Sequence, residues 1–322
     1  MNRISSLFLF ASAVGVLLVA GFPTPGLAES ATFIDPAGQI AEDQKSHLVL
    51  VTLITLIAIV PVFVLLPLIL LRYRRFGKDS EYRPAWEFSL PLEIAMWGVP
   101  FALIGILSWF VWQSTHKLDP YRPIDGAGEP VNVQVVGLDW KWLFIYPDLG
   151  IASVGEMAIP AERPVAMTLT TDTVMQSFII SALAGQIYAM PGMTTELHLK
   201  ADREGNFEGE NTQYNGNGFT GQKFITRAMD ETAFDAWVTD VQSNGVALDQ
   251  AAYNTLAVRS SQEDAHKALA TDAMPKDAIF FTLPDTHLFH KIVMRYHSGQ
   301  PLALSQQPGT PEFTTSTGNS SQ

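Results

Sequence analysis

The sequence predicts a membrane-anchored α+β protein: a two-helix transmembrane hairpin, then an all-β sandwich, then a small C-terminal helical segment. Three observations carry that prediction. Leu48 to Leu71 holds no charged residue, and Ile94 to Gln113 is a second uncharged stretch of spanning length. From Val131 the apolar period shortens to that of strands, in runs separated by Gly, Pro and Asp. At Asp230 it lengthens again to the helical period.

Composition agrees. The 322 residues are 47% hydrophobic and only 16% charged, with a net charge of -12. Ordinary soluble domains carry about 25% charged residues. The acidic balance argues against a nucleic-acid partner, which would need clustered Lys and Arg. There is no cysteine. That excludes disulfides, iron–sulfur clusters, Cys-x-x-Cys-His haem attachment, Cys-based zinc sites and a blue-copper centre.

In chain order, residues 1–28 read as a signal peptide. Arg3 supplies the positive start, Leu7 to Ala20 the apolar core, and Gly26-Leu27-Ala28 a small-residue cleavage site. An uncleaved anchor is the alternative. Val19-Ala20-Gly21 approaches a lipoprotein cleavage site, but Phe22 stands where the lipid-bearing Cys would be. Residues 29–45 read as a mildly acidic exported segment. Residues 46–116 form the hairpin. Pro61 and Pro67 fall inside the first span, where neighbouring helices can satisfy the freed carbonyls. Trp109 and Trp112 suit an interfacial belt. Arg72, Arg74, Arg75, Lys78 and Arg83 outnumber Asp79, Glu81 and Glu87 between the spans, so that loop faces the cytoplasm. Everything after Gln113 then faces out.

After the Pro-broken connector THKLDPYRPI, residues 125–229 form the β domain. VNVQVVGLDWKWLFIY, ERPVAMTLTTD, QSFII, TTELHLKA and GQKFITRA read as its strands, with Leu197 and Leu199 on one face. Residues 230–298 form the helical segment. Asp230 or Thr232 is placed to cap a helix with Phe234, Trp237, Val238 and Val241 on one side. Residues 299–322 are Ser, Thr, Gln, Gly and Pro without periodicity, and read as a disordered tail.

A hairpin of two spans followed by an exported β domain resembles subunit II of the haem–copper oxidases, whose outer domain is a cupredoxin-like Greek-key sandwich. GLDWKWLFIYP resembles the aromatic segment that opens that domain. TTDTVMQSFIISALAGQIYAMPGM resembles the next, where a copper-ligand His precedes Ser-Phe and a Pro-Gly turn follows. Here Gln176 precedes Ser177-Phe178, and Pro191-Gly192 make the turn. Laid on YNGNGFTGQKFIT, the family's Cys-x-x-x-Cys-x-x-x-His-x-x-Met loop puts its thiolates at Asn215 and Phe219. Its His falls at Lys223 and its Met at Thr226. Asn and Phe cannot bridge two copper ions, and a Lys cation would repel them. The tracts Tyr-x-Gly-x-Gly-Phe-x-Gly-x-Lys-Phe and GQIYAM resemble the branch that lacks the copper, the bo-type quinol oxidases. The resemblance runs from about Ser46 to Val238.

The resemblance implies a proton-pumping ubiquinol oxidase in a bacterial inner membrane, with the large C-terminal domain in the periplasm. Haems and copper would belong to subunit I. Subunits III and IV, membrane lipid and ubiquinol complete the implied partners. Quinol delivers electrons within the membrane, so no outer relay metal is needed. Glu93, at the cytoplasmic start of the second span, matches the place where the family's Glu marks a proton-uptake mouth. A Glu favoured at a helix N-terminus by the macrodipole is the plainer explanation. Trp140 and Trp142, with Phe144 and Tyr146, serve packing or contact with subunit I. Lys223 either pairs with a carboxylate or is solvated. Among the seven histidines, His287 and His290 share a helical face with His297 beyond, without carboxylate support for a metal, and His198 sits on the polar face of a strand. The competing function is a membrane-tethered binding or assembly protein with the same outer fold and no oxidase partner.

Overall fold

The computed structural model describes residues 33–73 and 87–313. The signal-peptide reading, most of the charged inter-span loop and the last residues of the tail lie outside the described residues.

Helices α1 (Gln39–Arg72) and α2 (Leu90–Lys117) are apolar around their whole circumference, and each is long and apolar enough to cross a membrane. Large apolar side chains such as Phe63, Trp97 and Trp109 stand exposed along them. A helix that is greasy on every side needs lipid or other helices around it. The first helix begins at Gln39, inside the stretch expected to be an exported segment. Its polar first turns are held by the outer domain. Ala37 N–H donates to Ala182 O, Asp202 N–H donates to Ala37 O, and Ala41 is fully buried. Gly38 lies so close to Lys200 O that an added Cβ would come within 2.5 Å of it. At the same level Ser114 Oγ lies 2.7 Å from His47 Nδ1, and Lys117 pairs with Asp43. The β domain is therefore fixed to the hairpin at several points.

The outer domain is a sandwich of two sheets. The larger runs in the order β11 (Val246–Ala247), β12 (Ile279–Thr282), β3 (Ile151–Val154), β2 (Lys141–Tyr146), β1 (Val131–Leu138), β5 (Val165–Thr171), β8 (Thr195–Leu199). The smaller runs β4 (Glu156–Pro160), β10 (Lys223–Met229), β9 (Gly205–Asn211), β6 (Gln176–Ile180), β7 (Ala184–Ala189). The chain crosses between sheets at Gly155, at φ +83°. A side chain there would meet Asp277 O at 2.4 Å, so only glycine fits. Strands β3 and β4, unforeseen in the sequence, flank this crossing. Strand β9 was missed because GNFEGEN is polar and glycine-rich. Gly209 is needed there because the Phe224 ring fills the space its side chain would occupy.

The sandwich core is aromatic. All six residues of β2 are buried. Trp142 meets Phe178 edge-on at 5.2 Å, and Phe178 stacks on Phe224 at 5.1 Å. Helix α3 (Glu231–Asn244) is capped by Asp230 Oδ1, which accepts from Ala233 N–H at 2.8 Å, and it buries Phe234, Trp237, Val238 and Val241.

Two expectations are corrected. The C-terminal segment is not wholly helical. It contributes β11 before α4 (Gln250–Ala257) and β12 after α5 (Gln262–Leu269), and β12 pairs antiparallel with β3. The Ile279-Phe280-Phe281-Thr282 run has the β-branched and aromatic character that suits this. The tail is not structureless from residue 299. A 3₁₀ turn covers Leu304–Gln306, and Phe313 is buried.

Candidate functional site

The loop end of the sandwich gathers residues from three chain segments. Asp139 and Trp140 form the tight turn between β1 and β2, with Trp140 at φ +64°. Gln176 opens β6. The glycine-rich loop 212–222 joins β9 to β10. Its glycines serve the Trp140 ring: Gly216 is at φ +117°, and a side chain on Gly218 would come within 2.1 Å of the indole. Trp140 Nε1 donates to Asn215 O at 3.4 Å, and the Arg259 guanidinium lies 5.8 Å from the ring centroid.

Beneath this loop lies a cluster of side-chain amides centred on Gln222. Gln222 Nε2 donates to Gln176 Oε1 at 2.6 Å and approaches Leu138 O and Lys141 O at 3.2 and 3.3 Å. Gln222 Oε1 accepts from Asn215 Nδ2 at 2.7 Å and Asn211 Nδ2 at 3.1 Å. Gln176 Nε2 donates to Leu138 O at 3.0 Å and Thr173 Oγ1 at 3.1 Å. Gly137 makes room: a Cβ there would stand 2.6 Å from Gln176 Oε1. All four amide residues are buried. Buried amides need partners, and here they supply them to one another.

The five positions marked by the resemblance therefore part company. Gln176 and Asn215 meet through Gln222. Thr226 is buried on the same face of β10, but its hydroxyl finds no hydrogen-bond partner among the described residues. Phe219 is half-buried and packs against Tyr214 at 5.8 Å. Lys223 is outside the cluster. It is exposed on the outer face of β10 and pairs with Glu208, whose hydrogen bond raises its pKa. The residue sequence reasoning missed is Gln222. Strand alternation could have found it: Phe224 and Thr226 face in, so Gln222 does too, and Lys223 must face out.

These groups do not fit a dinuclear copper ion pair. No thiolate exists in the chain, the Gln176 amide and Asn215 Nδ2 are engaged with other amides and with backbone, and the one orphaned acceptor, Asn215 Oδ1, cannot bridge two copper ions. The expected subunit contact at Trp142 is also corrected. That side chain is 1% exposed and belongs to the core, while Trp140 is half-buried at the surface.

Two charged groups lie beside the cluster. Lys141 is buried and donates to the carbonyls of Asp139, Val258 and Ser260 at 3.0, 3.1 and 2.7 Å. Burial lowers its pKa to about 8, with Asp139 and Asp264 opposing. Asp139 pairs with Arg259 at 2.7 Å.

Glu93 occupies the first turn of α2, whose other end leads into the β domain. The 25 residues from Glu93 to Lys117 span about 36 Å at the α-helical rise. Glu93 is half-exposed, and Trp97 Nε1 donates to its Oε2 at 3.2 Å. His287 and His290 are exposed at the start of α6 (Leu288–Met294). His198 Nδ1 lies 3.1 Å from Pro120 O.

Known proteins place this architecture. The family model for the cytochrome c oxidase subunit II periplasmic domain matches residues 151–222. Cytochrome bo(3) ubiquinol oxidase subunit 2 of Pseudomonas putida is 42% identical over 274 residues, covering 85% of this chain and 84% of that protein. The same subunit of Pseudomonas aeruginosa is 44% identical over 225 residues, covering 70% and 68%. Ubiquinol oxidase subunit 2 of Acetobacter aceti is 38% identical over 274 residues, covering 84% and 85%. Identity of this degree over most of both chains settles the relationship: the chain belongs to the ubiquinol oxidase subunit 2 family.

Proposed function

We propose that this chain is the second subunit of a proton-pumping ubiquinol oxidase in a bacterial inner membrane, with its β domain in the periplasm. It anchors and braces the haem-bearing subunit I, alongside subunits III and IV. It carries no copper of its own. Haems and copper sit in subunit I, and ubiquinol oxidation there reduces oxygen to water. The observation that carries the copper-free reading is the amide cluster of Gln176, Gln222, Asn215 and Asn211, where copper-bearing relatives of the resemblance hold ligands. An enzyme fed by a lipid-soluble donor can do without a relay metal in its outer domain.

Glu93 is the residue of this chain assigned to proton uptake. A carboxylate at a membrane rim can collect a proton and hand it to waters within a partner subunit. The Trp97 hydrogen bond fixes one carboxylate oxygen, and among the described residues the other is left to exchange.

The decisive experiment is metal and haem analysis of the complex purified through this chain. Haem and quinol oxidase activity should co-purify, with copper accounted for by subunit I alone. Copper bound to this subunit would refute the copper-free reading. A chain that purifies without haem would point to the tethered binding protein instead.

A further inference from the structure

The chain beyond β12 crosses the loop end of the sandwich and touches both sheets. Helix α6 buries Leu288, Phe289, Ile292 and Val293. The turn after it brings Arg295 and Tyr296 onto Asp172, which follows β5. Arg295 Nη1 donates to Asp172 Oδ2 at 2.8 Å. The Tyr296 hydroxyl is shared between Asp172 O at 2.8 Å and Oδ1 at 2.9 Å. Tyr296 also packs on the turn after β7, where Cβ of the tyrosine lies 2.9 Å from the place a side chain on Gly192 would begin. Further on, Gly309 fits so closely against Asp139 and Thr173 that a Cβ would stand 2.8 and 2.9 Å from them, and Phe313 ends buried.

We propose that residues 284–313 form a strap closing the loop end, with Asp172 as its key, and that the closed strap positions the 171–176 loop and the amide cluster behind it. The key works because Asp172 is fully buried. A buried carboxylate is tolerable only when paired and hydrogen-bonded. Two of the three side chains that bond its carboxylate, Arg295 and Tyr296, belong to the strap; the third, Tyr253 at 2.5 Å, comes from α4. Release of both strap donors would leave the buried carboxylate with Tyr253 alone, a cost that holds the strap closed. Its effect reaches inward through Thr173, which touches Gly309 on one side and accepts from Gln176 Nε2 on the other.

The test is hydrogen–deuterium exchange on the intact purified complex. Asp172→Asn leaves Arg295 without its counter-charge, and exchange in residues 284–313 should speed up on the order of a hundredfold. Residues 173–180 should follow, and β4, at the edge of the smaller sheet opposite β7, should not. Tyr296→Phe keeps the ion pair and is the milder variant should Asp172→Asn fail to assemble; it should accelerate strap exchange roughly tenfold. Unchanged strap exchange in the variants, or acceleration spread evenly over both sheets, would overturn the proposal.

Discussion

The loop end of the sandwich and the rim of the hairpin remote from it treat their polar groups in opposite ways. At the loop end Gln176, Gln222, Asn215 and Asn211 are buried and bound to one another. At the rim Glu93 is half-exposed, with one hydrogen bond from its own helix. Amides engaged with one another hold loops together, although Asn215 Oδ1 is left buried without a partner among the described residues. A half-exposed carboxylate can take up and release a proton. The contrast is between buried polar groups bound to one another and a carboxylate that is half-exposed, and it is the first set that lies where the resemblance puts redox ligands.

Removing core contacts should have the largest effect on that structural end. Trp142→Ala deletes the aromatic centre of the sandwich and should destabilise the domain by about 3–5 kcal/mol. Trp140→Ala should cost much less, because its ring is half-buried. Thermal or denaturant unfolding of the purified chain in detergent measures both, and equal costs would return Trp142 to the surface. Gln222→Ala comes next. It strands Gln176 Oε1 and leaves two Asn side chains without their shared acceptor, for a loss of about 3 kcal/mol. A loss under about 0.5 kcal/mol, the scale of an ordinary surface change, would mean that the amide cluster is not a structural unit.

Lys141 gives the same end a pH signature. Its folded pKa is about 8 against an unfolded value of 10.5. Between those values the unfolded chain binds more protons, so stability should rise with pH across that window and level off above it. The full rise corresponds to about 3 kcal/mol. Lys141→Met should flatten the profile, as followed by unfolding midpoints from pH 7.5 to 10.5. A wild-type profile that falls across the window would contradict the burial of a charged amine here. Thr226→Val should do least. It replaces an unpartnered buried hydroxyl with a methyl group of similar volume, so stability should hold or rise by up to about 1 kcal/mol. A marked loss would reveal a partner for that hydroxyl.

The sequence made the hairpin legible because uncharged runs of that length have few other uses; it made β1, β5 and β8 legible by alternation, β2 by its aromatic run, and β6 and β10 as short apolar runs between turns. Strands β3 and β4 were hidden because Gly155 breaks the run where the chain changes sheet, and β9 because its polar residues conceal a buried Phe207. Within the site, the ligand spacing of the resemblance pointed to Lys223, one residue past the side chain that matters. Spacing along the chain says nothing about which face of a strand a residue takes; alternation does, and it selects Gln222. The partnership of Asp172 with Arg295 spans 123 positions, beyond the reach of any local pattern.

The rim should behave in reverse, with little change in stability and a large change in turnover. Glu93→Gln keeps the shape and a hydrogen-bond acceptor for Trp97 but cannot exchange a proton near neutral pH. Unfolding should shift by less than about 0.5 kcal/mol, as for surface positions. Haem content should stay constant while quinol-driven oxygen consumption falls severalfold. Glu93→Asp shortens the side chain but keeps the carboxylate, and should retain more activity than Glu93→Gln. That ordering is what separates proton transfer from a favourable charge at a helix start. If the macrodipole were the whole role of Glu93, Gln would cost only the few tenths of a kcal/mol of a surface charge, and turnover would stay at the wild-type rate in both variants.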